Sequence, residues 1–525
     1  MKKFINKIKN NKVLSILSVL IIGLFFILVT RITYAYLAPV INDAQTNVVG
    51  STDTVDDFKF ELGNPLKINA TPTTLKENGS NYTTSTTAKA LLKANSTKKT
   101  ATFNYYVYFL IKSNTFTYSD GSTPEIILTV TNPNGDEITS IEGLTYGTFN
   151  GVSGFDITTK KGLFNIANNH EITSNSSTTY TTQSWTIKIT YLNLSIDQST
   201  NFGNSMGVNV YITKNEKKPT LAEVCSNGQT LSSCIIAMDG KDDTLYHHTS
   251  ALANGAGDNS YRYAGASESV NNFVCFGSTP KPCPTDNLYR IIGVFEDKVK
   301  LIKYDYANSN LLGTDGDYKG SVTPNSTYKG SLSKVDTYYW NYKNNTSINN
   351  GWGSNVWSTS LLNKTNLNTN YLNNIGTTWS NLIEDTIWRV SGHTTYGVAP
   401  KAMYTAEITN ATKTYGPSDG VSKIGLMYVS DYGFAAAPSA WTSNIGHYDI
   451  SAKELVNWMY MGLQEWTISP YSSHSYSVLL WDRNSFVSYY NASYNSGSRP
   501  VFYLKASALY AGGSGTKDSP ITLVV

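Results

Sequence analysis

The stretch 488–496 carries the side-chain types of a ligand-binding loop. It reads SYYNASYNS, so tyrosines alternate with small residues that form hydrogen bonds. Tyrosine gives a large contact area for two rotatable side-chain angles, and Ser and Asn give adaptable hydrogen bonds, which suits sugars as well as proteins. The predicted ligand-binding residues are Tyr489, Tyr490, Asn491, Tyr494 and Asn495, with Trp441, His474, Tyr476 and Trp481 bordering the same surface.

Other large side chains in this half of the chain favour a structural role. Trp388, Trp458 and Trp466 lie in strand-like or helix-like patterns, as Trp481 also does, and all four are predicted to be core residues. Arg499 precedes a proline in an apolar strand, which predicts a buried arginine whose donors are satisfied by backbone carbonyl groups.

Residues capable of hydrolytic chemistry are scattered. His393, His447 and His474 lie far apart, and none sits in a recognisable nucleophile motif. Glu384 and Asp385 are adjacent, which points their carboxylates apart, whereas the two acids of a glycosidase face each other across about 5–10 Å. We therefore predict no catalytic residues and no enzymatic activity, with an unrecognised carbohydrate-active enzyme as an alternative.

The four cysteines predict disulfides. Cys225, Cys234, Cys275 and Cys283 form an even set in one short region, which in an exported protein indicates cystines. Four cysteines allow three pairings, and the two local pairs are favoured because small loops close at little entropic cost. Their spacing does not fit zinc, and the Asp-rich and Gly-rich stretch 239–260 does not fit a calcium loop. No metal and no cofactor are predicted.

The elements that carry these residues begin with a membrane-insertion signal. Residues 13–30 contain no charge and lie between Lys12 and Arg31, and about 20 apolar residues cross a bilayer as a helix. Five lysines precede this stretch, so the positive-inside rule keeps residues 1–12 in the cytoplasm and exports the remainder. We predict a single-pass anchor at 13–33, or a cleaved signal peptide that leaves a secreted protein.

Length, charge and composition limit the classes of protein to which this chain can belong. The 525 residues are too many for one core and predict two to three domains. Only 15% of the residues are charged and the net charge is +3, which excludes a nucleic-acid partner. The 37 tyrosines and 10 tryptophans among many Asn, Ser, Thr and Gly residues indicate a β-rich extracellular protein.

Residues 36–214 are predicted to form a β-sandwich. Apolar and polar residues alternate in the stretches 103–112, 126–130, 185–191 and 208–212, which is typical of strands with one buried face. Such strands need a second sheet, and an immunoglobulin-like sandwich is the simplest arrangement. A short helix is considered only near 88–93. The charged stretch 215–221 contains Pro219 and is predicted to be a linker.

Residues 222–525 are predicted to form an α+β domain. The runs 288–295 and 299–304 read as a hairpin across Glu296 and Asp297. Residues 357–372 predict a helix, and Ser451 followed by Glu454 makes a capping box that predicts another at 451–458. Strands are expected at 478–481 and 486–490, with a turn at 482–485.

Two stretches resemble known families. Thr33, Tyr34, Ala35 and Tyr36 follow the apolar segment as in camelysin and biofilm-fibre proteins of Gram-positive bacteria. The ordered motifs YRIIG (289–293), LMYVSDY (426–432), WTISP (466–470) and RPVFYL (499–504) resemble an uncharacterised domain of gut Firmicutes surface proteins. That resemblance implies a fold distantly similar to C-type lectins and formylglycine-generating enzymes. Since no cysteine follows Cys283, the chemistry of those enzymes is not expected.

Together these observations predict a function in recognition. The expected protein is a non-enzymatic bacterial cell-surface protein, held by its N-terminal helix, with a lectin-like head for adhesion. Its partner is predicted to be an extracellular ligand, either a glycan or a host surface protein. The alternative from another class is a secreted structural subunit of biofilm-type fibres.

Overall fold

The computed structural model describes residues 56–71, 79–279, 281–410, 420–445, 457–481 and 487–525. The predicted cytoplasmic tail and membrane segment, residues 1–33, lie outside these ranges. Within the ranges, no helix combines the length and the apolar character needed to cross a bilayer. The described chain is mostly β-sheet and divides into two compact units between Lys217 and Lys218, inside the stretch 215–221.

The first unit consists of two antiparallel sheets. Its strands in the described ranges are β1 (Asp57–Leu62), β2 (Leu66–Asn69), β3 (Tyr82–Lys93), β4 (Ala101–Asn114), β5 (Ile126–Thr131), β6 (Thr145–Phe149), β7 (Val152–Asp156), β8 (Gly162–Ser174), β9 (Thr181–Tyr191) and β10 (Ser205–Thr213). One sheet has the order β1-β3-β9-β5-β7-β6, and the other has the order β2-β10-β4-β8. A 3₁₀ turn, Ser199–Asn201, precedes β10.

One hydrophobic core joins the two sheets of this unit. Alternate residues of β4 and β9 point into it, as the period-two pattern predicted. Across the core, the indole nitrogen of Trp185 on β9 donates to the hydroxyl of Tyr105 on β4 at 2.9 Å. The helix considered near 88–93 is wrong, because these residues form the end of β3 and pair with β9.

The second unit mixes small sheets with short helices. Its described strands are β11 (Leu245–His247), β12 (Tyr261–Tyr263), β13 (Phe273–Cys275), β14 (Leu288–Phe295), β15 (Lys298–Lys303), β16 (Tyr318–Val322), β17 (Val335–Tyr339), β18 (Thr386–Trp388), β19 (Gly420–Ser422), β20 (Glu465–Pro470), β21 (Ser477–Trp481), β22 (Val487–Asn491), β23 (Asn495–Ser496), β24 (Val501–Tyr503), β25 (Tyr510–Gly512) and β26 (Thr522–Leu523). Its described α-helices are α1 (Leu221–Val224), α2 (Leu231–Ile236), α3 (Ser309–Leu312), α4 (Leu372–Ser380), α5 (Pro400–Tyr404) and α6 (Val429–Ala435).

The largest sheet of this unit has the order β11-β12-β14-β15-β24, and β13 also pairs with β14. Two three-stranded sheets, β16-β17-β23 and β20-β21-β22, and two two-stranded ones complete the fold. The predicted hairpin is confirmed: β14 pairs with β15 through a tight turn, in which Glu296 has a φ of 57°. The strands expected at 478–481 and 486–490 correspond to β21 and β22, and the turn between them lies outside the described residues.

The helix predicted at 357–372 is present with different bounds. A 3₁₀ turn, Trp357–Thr359, precedes a π-helix, Leu362–Tyr371, which continues into α4. Two side chains bond back along these wide turns: Asn368 donates to the carbonyl of Asn363 at 3.1 Å, and Thr369 donates to that of Lys364 at 2.8 Å. Each of these bonds reaches back five residues.

The capping-box helix predicted at 451–458 falls mostly on residues outside the described ranges. Of its residues, Asn457 forms a β-bridge with Ala436 and Trp458 lies in a turn. Trp458 is buried, and its indole donates to the carbonyl of Tyr263 at 2.8 Å. Trp388 and Trp466 are also buried, as predicted, whereas the side chain of Trp481 lies outside the described structure.

Both predicted disulfides are confirmed. Cys225 is bonded to Cys234, and Cys275 is bonded to Cys283. Each bridge closes a short loop within the second unit, so the local pairing is the one that forms. The first pair ties Cys225, the residue that follows α1, to the middle of α2, and the second closes most of the segment between β13 and β14.

Candidate ligand-binding surface

Six aromatic side chains meet at one place on the second unit. The connection between β20 and β21 supplies Tyr471, His474 and Tyr476. Strand β22 and two loops elsewhere in the sequence supply the other three side chains. We call this set the aromatic surface, and its members are Trp352, Tyr396, Tyr471, His474, Tyr476 and Tyr489.

The rings of the aromatic surface form a continuous series. Tyr489 stacks on Tyr471 with ring centroids 4.4 Å apart, and Tyr396 touches the same ring of Tyr489 at 5.5 Å. The ring of His474 lies 5.9 Å from that of Tyr489 and 5.4 Å from that of Tyr471, and it stacks on Tyr476 at 5.2 Å. Trp352 ends the series, edge-on to Tyr476 at 4.7 Å. Ring pairs at these distances stabilise one another and fix the shape of the surface.

Two members of the series are open to solvent. Tyr489 is 40% exposed and Trp352 is 44% exposed, although indole rings are usually well buried. Hydrogen-bonding groups lie beside them, since the hydroxyl of Ser475 donates to the side-chain oxygen of Asn349 at 3.0 Å. Exposed rings bordered by amide and hydroxyl groups offer both apolar contact and directional hydrogen bonds.

The loop that carries Trp352 is held against the predicted binding stretch. The amide of Ser493 donates to the carbonyl of Trp352 at 3.2 Å. Gly353 has a φ of 77°, and a Cβ there would lie 2.6 Å from the carbonyl oxygen of Asn341 and 3.3 Å from Ala492. Only glycine permits this close approach, so the position of the indole depends on the residue that follows it.

The predicted binding residues separate into two groups. Tyr489 and Tyr476 belong to the aromatic surface, and Asn491 ends β22 beside it. Tyr490 instead contacts Tyr494 at 4.5 Å. Tyr494 and Asn495 line a separate open cleft of about 270 Å³, together with neighbours that include Thr337, Gln464 and Ser496. Strand alternation explains the division, because adjacent residues of β22 point to opposite faces.

Trp441 does not lie on this surface, contrary to the prediction. It is 1% exposed, and its indole donates to the carbonyl of Ala436 at 2.8 Å. Its ring packs against Tyr246, His248 and Phe434 in a small cluster of the core. Burial of this large apolar ring outweighs any role at the solvent boundary.

The adjacent histidines face opposite ways, as predicted. His247 stacks on Tyr261 with centroids 4.1 Å apart, whereas His248 is fully buried against Trp441. The Nδ1 atom of His248 accepts from the amide of Ala256 at 2.9 Å, so the ring is neutral with its proton on Nε2. Burial, helped by the Arg262 guanidinium, lowers the pKa of His248 from 6.5 to about 3.

The buried side chain of His248 is expected to make the folded second unit sensitive to acid. Because the folded pKa lies below the unfolded value, the unfolded chain binds more protons between about pH 3 and 6.5, and stability is lost as pH falls through this window. The loss is up to about 1.4 kcal/mol per pH unit from this residue. His248→Asn keeps an acceptor for Ala256 and is expected to remove that slope. Urea unfolding at a series of pH values checks this, and parallel curves for the two proteins would contradict it.

Sequence reasoning missed Trp352, Tyr396 and Tyr471. The three are separated from Tyr489 by up to 137 positions (489 − 352), and only the fold brings them together. Only local composition could have indicated that these residues lie on a binding surface. Each is an aromatic residue among Gly, Asn, Ser or Thr, in a segment whose apolar residues do not repeat with the spacing of a strand or a helix. His447, another residue considered for chemistry, lies outside the described structure.

The described residues offer no nucleophile motif or metal cluster in working geometry. A Gly-x-Ser-x-Gly sequence occurs at 203–207 and was missed, but its Ser205 begins strand β10 and pairs with Asn69. A hydrolase nucleophile of this motif sits on a sharp turn from strand to helix, which is not the geometry here. Within the described ranges, no group of three or more His, Cys, Asp or Glu side chains is placed to hold a metal ion.

Comparison of the chain with protein-family models, with curated proteins and with solved structures found no match. The geometry of the aromatic surface is therefore the evidence that bears on function. That geometry is a continuous series of rings, open to solvent at Tyr489 on strand β22 and at Trp352 on a loop of a well-packed unit. Binding residues are commonly placed on loops in this way.

Proposed function

We propose that this protein is a non-enzymatic bacterial cell-surface protein whose second unit binds a carbohydrate through the aromatic surface. The observation that carries the proposal is the continuous series of six rings with two members at least 40% exposed. The apolar faces of sugar rings stack on such side chains, and their hydroxyl groups pair with amides such as that of Asn349. A glycan of an opposing cell surface is the proposed ligand.

The proposed location is outside the cell, with the chain attached by residues 13–33. Two cystines support this location, because disulfides persist in oxidising compartments and are rare in a reducing cytosol. The uncharged stretch 13–30 with lysines before it supports attachment with the C-terminal bulk outside. In this arrangement the aromatic surface faces the environment.

We also propose a fold family for each of the two units. An immunoglobulin-like sandwich for the first unit is supported by two antiparallel sheets that share one core. A C-type-lectin-like fold for the second unit is supported by its short strands, small sheets and long connecting loops. The first unit then serves as a spacer, and the second serves as the binding head.

Substitutions on the aromatic surface are expected to abolish most of the binding. Trp352→Ala and Tyr489→Ala each remove an exposed ring, and losing such an anchor costs about 2 kcal/mol or more, roughly a 30-fold weaker Kd. Tyr82→Ala is the matched control, since Tyr82 is 39% exposed but lies on β3 of the first unit. We expect the control to bind like the wild type.

The measurement uses the full-length chain in detergent on an array of bacterial and mucosal glycans, followed by titration of the best ligand. Binding to cells is then compared after treatment with glycosidases and after treatment with protease. Loss with glycosidases supports a carbohydrate ligand, whereas loss with protease alone would assign a protein ligand and contradict the proposal. Retained binding by both aromatic variants would show that another surface is used.

A further inference from the structure

A lysine and an aspartate lie in contact inside the second unit. The Nζ atom of Lys300 on β15 is 2.6 Å from Oδ2 of Asp431 on α6, and their side chains are 1% and 2% exposed. The two residues are 131 positions apart. A buried pair of this kind is usually read as an ion pair, whose desolvation cost often exceeds its Coulombic gain.

Aromatic rings surround this pair and keep water away. The Lys300 nitrogen lies 4.6 Å from the ring centre of Tyr428, 5.3 Å from that of Tyr503 and 5.4 Å from that of Phe295. Burial lowers the pKa of the Lys300 ammonium, with Asp431 opposing that change. An apolar environment thus favours the neutral amine, which is a nucleophile.

A second buried carboxyl group is anchored at the start of α6, the helix that carries Asp431. Glu407 is fully buried and accepts hydrogen bonds from the amides of Val429 at 3.0 Å and Ser430 at 3.2 Å, the two residues that precede Asp431. It also accepts a hydrogen bond from the hydroxyl of Ser469. Burial raises the pKa of Glu407 to about 7, and its charge acts on both Lys300 and Asp431. A carboxyl group of this kind can both donate and accept a proton near neutral pH.

Positive and donor groups face the carboxylate of Asp431. The amide of Tyr428 donates to Oδ2 at 2.9 Å, and the guanidinium of Arg262 lies 3.7 Å from Oδ1. Arg262 is itself held by Asp258 at 2.6 Å. A cation next to Oδ1 would stabilise the negative charge that develops there when a nucleophile attacks the carboxyl carbon.

We propose that Lys300 and Asp431 form an intramolecular amide bond, with Glu407 as the proton relay. The Nζ–Cγ bond forms as the amine attacks the side-chain carboxyl carbon of Asp431, and the Cγ–Oδ2 bond breaks. Two protons from the lysine ammonium pass to Oδ2, which leaves as water, and Glu407 ends in the state in which it began. No oxidant or further reactant takes part.

The bond would connect β15 of the largest sheet to helix α6. It would close a loop of 131 residues, far longer than the loops of nine and eight residues closed by the cystines. Unlike a cystine, an amide is not opened by reducing agents. The proposal is independent of the ligand, so the loss of glycan binding would leave it standing.

Peptide mapping of the full-length wild-type chain tests the bond. After reduction, denaturation and trypsin digestion, we expect no cleavage at Lys300. Instead, peptide 299–303 should be joined to peptide 424–453, with a mass below their sum by one water. Lys303 is the internal control, because it is equally buried on the same strand and should be cleaved normally. Cleavage after Lys300 together with a free 424–453 peptide would overturn the proposal and leave an ion pair.

Variants test the roles of the three residues. Lys300→Arg and Asp431→Ala should lose the joined peptide completely, and Glu407→Gln should reduce it at least 10-fold if this carboxyl group relays the protons. Cooperative unfolding followed by tryptophan fluorescence shows whether each variant folds. A folded Glu407→Gln protein that forms the bond fully would overturn the assigned role of Glu407. The wild-type map decides the existence of the bond whether or not any variant folds.

Discussion

Glu465→Ala is expected to lower the free energy of unfolding of the second unit by about 3–5 kcal/mol, because it leaves a buried arginine unpaired. Glu465 and Arg499 are 3% and 2% exposed, and the Nε atom of Arg499 donates to Oε1 of Glu465 at 2.7 Å. The same guanidinium donates to the carbonyl of Met459 at 2.9 Å. That carbonyl bond remains in the variant, but the counter-charge is lost.

Urea unfolding of the wild type, the single variant and the double variant Glu465→Leu with Arg499→Met measures this effect. Removing both charges avoids the unpaired ion, so the double variant should recover a large part of the loss. A single variant within about 0.5 kcal/mol of the wild type would contradict the prediction, since surface substitutions have effects of that size.

Asp317→Asn is expected to destabilise the second unit by about 3 kcal/mol, because two of the amides that now donate to a carboxylate oxygen would face an amide nitrogen. Asp317 is fully buried. Its Oδ1 accepts from the amides of Tyr342 at 3.2 Å and Lys343 at 2.9 Å, and its Oδ2 accepts from those of Leu361 at 3.0 Å and Leu362 at 3.1 Å. One side chain thus fixes a turn and the start of the π-helix.

Asp242→Asn is the matched control for this substitution. Asp242 is half-buried and uses a single oxygen to accept from the amide and the hydroxyl of Thr244, at 2.8 Å and 2.6 Å. Asparagine retains that oxygen, so the change should be below about 0.5 kcal/mol. Thermal and urea unfolding of both variants measures the difference, and equal losses would show that the amide cluster at Asp317 is not the cause.

Local sequence pattern predicted the strands well where one face is buried. In β9 the alternation of residues matched burial from Trp185 to Ile189, and in β4 the predicted residues Tyr105, Val107, Phe109 and Ile111 lie in the core shared by the two sheets. On the other face of β4, Tyr108 and Leu110 are also buried, which the alternation did not predict. At the end of β3 the sequence pattern wrongly suggested a short helix, since Ala88, Ala90 and Leu91 are good helix formers. There, Ala88 and Ala90 are fully buried in register with β9, and pairing across the sheet overrides local propensity.

The candidate site could be predicted only in part. Tyr489 and Tyr476 were identified from the composition of the stretches around them, but whether a ring such as Trp441 is exposed depends on what packs over it. Arg499 was predicted to be buried and bound by carbonyl groups, which is confirmed, whereas its partner Glu465 was missed. The two lie 34 positions apart, and no local pattern relates them.

The strand order of the first unit determines how long one of its sheets remains incomplete while the chain is being synthesised. β9 lies between β3 and β5, so both strands keep a free edge until Tyr191 has emerged. Synthesis from Asp57 to Tyr191 takes on the order of ten seconds at about 5–20 residues per second. During that interval β3 and β5 have no strand between them, so their backbone groups along that edge are unpaired and a chaperone or rapid onward transfer of the chain would protect them from aggregation.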